Sequence, residues 1–187
     1  MPQFPRGAAA VCRRAERKRK SVSPGFVVHP LRPVYDRNSR ALILGTMPSP
    51  KSREYGFYYS HPQNRFWRVL AQLYGGPPPA TSEEKTAFLL KNRIALWDVL
   101  KSCRIRGADD GSIRDPVAND IAGLLARTSI RAVFTTGVKA ASLYRRLCLP
   151  KTGRAAIALP STSPANCRRY TYETLVEAYR VLLDYTR

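Results

Sequence analysis

Residues 42–67 read LILGTMPSPKSREYGFYYSHPQNRFW and hold the densest set of side chains able to do chemistry. A short apolar run, Leu42-Ile43-Leu44, breaks at Gly45 and Pro48 into a loop carrying Tyr55, Phe57, Tyr58, Tyr59 and His61, which closes on Asn64, Arg65, Phe66 and Trp67. Aromatic rings beside an uncharged amide suit a pocket for a flat polar ring. The rings cover its faces, and the amide donates and accepts at its edge. Asn64 has a competing use as the N-cap of a helix opening at Arg65. Tyr59 and its neighbours can equally be core, and His61, followed by proline, reads as structural. Asp98 ends a second apolar run. A carboxylate only accepts hydrogen bonds, so it can take an N–H from a bound ring; capping, or pairing with an arginine, is an equal use on spacing alone. A third segment, PSTSPANCRR at 160–169, lacks the flanking glycines of a nucleophile elbow. Its small hydroxyls, backbone N–H groups and two arginines suit phosphate oxygens, with an ordinary solvated turn as the plain alternative.

Composition narrows the partner of such a pocket. The 187 residues include 32 Lys plus Arg against 13 Asp plus Glu, a formal net charge of +19. A chain this basic attracts polyanions, which makes a nucleobase the favoured flat ring. No apolar run approaches the roughly 18 residues of a membrane span, and Ala8-Ala9-Ala10-Val11 is too short for a signal-peptide core, so the expectation is an intracellular protein. The four cysteines, Cys12, Cys103, Cys148 and Cys167, form no C-x-x-C pair, and no Walker loop, G-x-G-x-x-G or metal-ligand cluster occurs. No metal, cofactor or disulfide is expected.

The elements that must position these residues alternate. Apolar runs at Ala41–Gly45, Ile94–Trp97, Ala132–Thr135 and Ala155–Leu159 read as buried strands. Helical spacing covers Asn64–Leu73, a capped start at Ser82-Glu83-Glu84-Lys85, Pro116–Ala126, Gly137–Cys148 and Thr171–Tyr185. Alternation of this kind predicts a parallel sheet with helices on both faces and a ligand at the carboxyl ends of the strands. Four loops then matter, after Leu44, Leu96, Thr135 and Leu159. Residues 1–22 read as a basic disordered tail, and residues 26–187 as one domain.

Taken in order, Gly45-Thr46-Met47-Pro48-Ser49, His61-Pro62-Gln63-Asn64-Arg65-Phe66-Trp67, Leu96-Trp97-Asp98 and Ser161-Thr162-Ser163-Pro164-Ala165 resemble the motifs of the uracil-DNA glycosylase superfamily. The first loop is similar to the mismatch-specific uracil/thymine branch, and the whole set is most similar to the hypoxanthine-DNA glycosylase branch. The resemblance spans roughly residues 26–185. It implies a three-layer α/β/α sandwich around a mainly parallel four-stranded sheet. It also implies flipping of a deaminated base, hypoxanthine first, out of DNA and hydrolysis of its N-glycosidic bond, leaving an abasic site. On this resemblance Asn64 is the catalytic residue. Gly45, Thr46, Met47, Tyr59 and Asp98 bind the base. Ser49, Ser161, Thr162, Ser163, Pro164, Ala165, Asn166, Arg168 and Arg169 bind the DNA.

Two departures stand out. Met47 occupies the place of a water-orienting Asn or Asp, and Ser161 that of a histidine. No lysine holds a motif position as a Schiff-base nucleophile, which implies a monofunctional enzyme. Separately, the protein is expected to be a monomer, and cytoplasmic and nucleoid-associated if bacterial. A uracil-preferring enzyme and an inactive nucleic-acid-binding protein of the same fold are the rival readings.

Overall fold

The computed structural model describes residues 24–187, so the expected tail at 1–22 lies outside the described residues. In chain order the main elements are β1 (Gly25–Val28), β2 (Ala41–Gly45), α1 (Pro50–Glu54), α2 (Phe66–Tyr74), α3 (Ser82–Lys91), β3 (Ile94–Asp98), β4 (Leu100–Arg106) and β5 (Asp109–Ala118). They continue with α4 (Ile121–Ala126), β6 (Ala132–Thr136), α5 (Val138–Leu147), α6 (Leu149–Thr152), β7 (Ala156–Leu159), α7 (Tyr172–Tyr179) and α8 (Leu183–Thr186).

The four expected strands form one parallel sheet in the order β3-β2-β6-β7. Strand β2 lies inside it and is buried on both faces, which is why it is apolar without alternation. Ala41 and Ile43 point to one side, where α2, α3 and α7 bring Phe66, Trp67, Leu70, Leu89, Leu175 and Tyr179. Leu42 and Leu44 point to the other, against Ile121 and Leu124 of α4 and Leu143 and Tyr144 of α5. Each fully buried leucine or isoleucine contributes about 1.5–3 kcal/mol, so this doubly covered strand is the rigid frame of the molecule. The helix at α3 starts on a capping box: Thr81 Oγ1 accepts from the Glu84 N–H while the Glu84 carboxylate reaches back to the Thr81 N–H.

A second sheet, antiparallel and ordered β1-β4-β5, escaped the sequence reading. The helix expected over Pro116–Ala126 is shortened to Ile121–Ala126, because residues up to Ala118 belong to β5. Pro116 is tolerated there because β5 is an edge strand. The sheet packs Leu100, Cys103, Ile105 and Ile113 onto the Leu42/Leu44 side of the parallel sheet. It thereby brings the β4–β5 hairpin, turning at Gly107 and Ala108, over the carboxyl ends of the parallel strands. The long helix expected over Thr171–Tyr185 is divided into α7, a 3₁₀ turn over Arg180–Leu182, and α8. Among the described residues no helix is long and apolar enough to cross a membrane.

Candidate active site

All four expected loops meet at one cavity of about 140 Å³. The loop after β2 supplies Gly45, Thr46, Met47, Pro48 and Ser49, and β3 supplies Asp98. Strand β6 adds Thr136, and the loop after β7 adds Ser161 and Ser163. Tyr58, Tyr59 and Asn64 come from the aromatic loop, and Ile105, Gly107, Ala108 and Asp110 from the β4–β5 hairpin.

The aromatic loop sorts its rings. Tyr55 is 55% exposed, and Phe57 is buried against Trp67. Tyr58 is fastened from both ends: its hydroxyl donates to the Arg32 carbonyl at 2.8 Å, and its own carbonyl accepts from Trp67 Nε1 at 3.1 Å. Tyr59 sits at φ 52°, a left-handed conformation that costs a bulky residue energy. One face of its ring stacks on Phe66 at 3.9 Å, and its hydroxyl meets Thr136 Oγ1 at 2.9 Å. Burial, then the nearby Asp98, pushes the Tyr59 phenol well above its ordinary range, so it remains a neutral ring.

Asn64, one residue before the Arg65 N-cap, both braces the start of α2 and lines the cavity. Its Oδ1 accepts from the Phe66 N–H at 3.0 Å, across the start of α2, and from Thr162 Oγ1 at 2.8 Å. A backbone N–H can only donate, which fixes the amide orientation and leaves Nδ2 as the group offered to the cavity. Thr162 is 1% exposed. Expected at the DNA surface, it instead faces inward and holds Asn64, because its hydroxyl satisfies a buried acceptor.

Asp98 is 4% exposed at the cavity floor. Its partner, to which no local pattern in the chain pointed, is His29. The Leu31 N–H donates to His29 Nδ1 at 3.1 Å, so the ring proton resides on Nε2 and is donated to Asp98 Oδ2 at 2.9 Å. Asp98 Oδ1 takes no hydrogen bond from the described residues and lies against Gly45. A Cβ at position 45 would come within 2.2 Å of it, so only glycine admits the carboxylate. Asn119 Nδ2 donates to the carbonyls of Asp98 (2.9 Å) and Leu100 (3.0 Å), clamping the end of β3.

A second carboxylate, also missed, is Asp110. Thr46 Oγ1 donates to its Oδ2 at 3.1 Å. Burial raises its pKa, opposed by the Thr46 hydrogen bond and Lys139 and reinforced by Asp98 and Asp109. Beside this pocket lies a larger cavity of about 600 Å³, lined by Lys139, Asn166 and Arg169 together with Asp110, Thr136 and Ser161. Pro164 and Asn166 form a 3₁₀ turn with Ala165, and Arg168 is exposed beyond it. Arg65 ties this loop down: its N–H donates to the Thr162 carbonyl at 3.2 Å, and its Nη1 to the Tyr170 carbonyl. Among the described residues no group of three or more His, Cys, Asp or Glu is arranged to hold a metal ion.

The chain that builds this pocket is similar to known proteins. The family model for the Uracil DNA glycosylase superfamily matches residues 32–183. A protein of Methanosarcina acetivorans named hypoxanthine DNA glycosylase is 39% identical over 137 residues, covering 72% of this chain and 85% of that one. One of the same name from Methanosarcina barkeri is 38% identical over 88 residues, 46% of this chain and 56% of that one. The solution NMR structure of an M. acetivorans protein, titled as a candidate uracil DNA glycosylase, superposes with a TM-score of 0.69 at 33% identity. It covers 82% of this chain and 96% of that one.

Proposed function

We propose a base-excising reaction for this chain, which belongs to the uracil DNA glycosylase superfamily. It is a DNA glycosylase whose preferred substrate is hypoxanthine in DNA, released by hydrolysis of the N-glycosidic bond. The observation that carries the base assignment is the pairing of Asn64 Nδ2, a donor, with Asp98 Oδ1, an acceptor, on one cavity. Hypoxanthine offers the complement: O6 accepts and N1–H donates. Adenine offers the reverse, an amino donor and a bare N1. Each mismatched buried polar group costs about 1–3 kcal/mol, so two of them reject adenine strongly. Tyr59 covers a face of the flipped base. Asn64 also stabilises negative charge on O6 as the base leaves, a role that strengthens in the transition state. Uracil carries the same pair at O4 and N3–H and is a second substrate of the same pocket.

The loop at 160–169 and the cavity lined by Asn166, Arg169 and Lys139 suit the DNA backbone. Among the described residues no lysine lines the base pocket, and Lys139 lines the neighbouring cavity, which supports a monofunctional enzyme. We read the protein as acting as a monomer, and DNA as substrate supports work inside the cell. Residues 26–187 act as one domain.

Duplexes carrying a single hypoxanthine, uracil, xanthine or thymine mispair, incubated with the protein and then cleaved with alkali, test the reading. Abasic product is expected from hypoxanthine first; none from any duplex rejects an enzyme altogether. Asn64→Ala is expected to slow excision about 10²–10³-fold, the usual cost of a lost transition-state donor. Unchanged turnover in a folded variant removes Asn64 from the chemistry. A covalent adduct trapped with borohydride would contradict the monofunctional assignment.

A further inference from the structure

The base pocket and the larger cavity beside it share three polar residues, Asp110, Thr136 and Ser161. With the base in one cavity and the DNA backbone along the other, the glycosidic bond must cross where the two meet. Neither hydroxyl there ionises in the ordinary range. The Thr136 hydroxyl is already engaged by Tyr59, and Ser161 Oγ accepts from the Ser163 N–H at 3.3 Å. Met47, on the same wall, cannot polarise water. Asp98 has its Oδ2 held by His29 and its Oδ1 against Gly45, on the floor of the pocket. Asp110 alone combines a carboxylate with a place at the junction. Its Oδ2 is fixed by Thr46, and its Oδ1 takes no hydrogen bond from the described residues.

We infer that Asp110, delivered by the β4–β5 hairpin, is the carboxylate that orients and deprotonates the attacking water, an inference that rests on the glycosylase reading above. The bond between C1′ and the base nitrogen breaks with its electron pair moving to the base. The water oxygen bonds to C1′, and its proton passes to the Asp110 carboxylate and on to solvent. The base anion takes a proton from water, so one water is consumed for each base released. A negative carboxylate at that junction also stabilises the positive sugar that forms as the bond lengthens.

The working form is the ionised one, so activity rises with pH through the raised pKa of Asp110 and is lost below it. Lys139 from α5, Asp98 from β3, Asp109 from its own strand, Tyr59 from the aromatic loop and Cys103 from β4 are the titratable groups around it.

The test is Asp110→Asn, which keeps an acceptor for Thr46 and nearly the same shape. Single-turnover excision of hypoxanthine is expected to fall about 10²-fold or more, the usual contribution of a general base. Duplex affinity should stay unchanged and the acid limb of the pH–rate profile should disappear. Formate added to Asp110→Ala is expected to restore part of the rate. Asp109→Asn, at an exposed carboxylate paired with Arg106, is expected to match the wild-type rate at neutral pH and to keep the acid limb, moved slightly to lower pH. An active wild type with an equally active Asp110→Asn, or an acid limb that persists in that variant, overturns the role of Asp110 alone. A wild type that releases no base overturns the glycosylase reading and this role with it.

Discussion

The pocket holds two carboxylates in the same manner on two different scaffolds. Asp98 stands at the end of a parallel strand; Asp110 stands just past a hairpin turn in the antiparallel sheet. Each is gripped through Oδ2 by one protein donor, His29 Nε2 in the first case and Thr46 Oγ1 in the second, and each leaves Oδ1 without a protein partner. The difference lies in what surrounds the grip. Asp98 is walled in by Gly45, His29 and the Asn119 clamp, which suits a fixed acceptor that reads a base edge. Asp110 is carried by a hairpin with three register irregularities, on a sheet edge, between two cavities. That setting suits a group that must meet water and exchange a proton. On the roles proposed above, base recognition sits on the doubly covered parallel sheet and proton transfer on the irregular edge hairpin.

Substitutions on each side can break this division. Of three substitutions around the two carboxylates, Gly45→Ala has the largest expected effect. The new Cβ would lie 2.2 Å from Asp98 Oδ1, and the histidine behind the carboxylate blocks its retreat. A displacement of about an ångström at a reacting site costs roughly 10²-fold, so excision is expected to fall by about that factor while helix content by circular dichroism is retained. His29→Ala comes next. It removes a hydrogen bond to a charged group, worth about 1.5–3 kcal/mol. The urea midpoint should fall accordingly, and the ratio of hypoxanthine to adenine excision should narrow. If that ratio is unchanged, Asp98 does not read the base. Thr46→Val has the smallest effect. Losing the clasp on Asp110 is expected to slow excision about 5–10-fold, corresponding to about 1–1.4 kcal/mol, with the base preference preserved. A change in preference would mean that the two carboxylates share one task.

The parallel half was largely legible in the chain. Leu42-Ile43-Leu44 and Ala132–Thr135 read as buried strands because residues covered on both faces are apolar without a break, and the loops that follow them must then lie together. Asp98, Asn64, Tyr59 and Ser161 fell at those ends and are found on one cavity. The antiparallel half was hidden for physical reasons. Asp109-Asp110-Gly111 carries the composition of a turn, yet the turn lies at Gly107 and Ala108, where Gly107 has φ 58°. Pro116 argues against a strand unless the strand is known to be an edge, which only the tertiary structure reveals. His29 has no local pattern at all: its partner is 69 residues away. Thr162 misled in the opposite direction. A hydroxyl in a polar loop suggests solvent, but the hydrogen bond to Asn64 turns it inward.

The burial of Asp110 also sets a cost that catalysis alone would not reveal. Its carboxyl is held above the ordinary value of 3.8, chiefly by desolvation. Between that value and its raised pKa the folded chain keeps a proton that the unfolded chain has released. Stability therefore declines as pH rises through this window, and the deficit is complete above it. Asp110→Asn lifts the deficit, so the variant expected to lose activity should unfold later in urea at neutral pH and show no such advantage below the ordinary carboxyl range. Selection for thermal endurance alone would discard this aspartate, whereas selection for turnover would keep it.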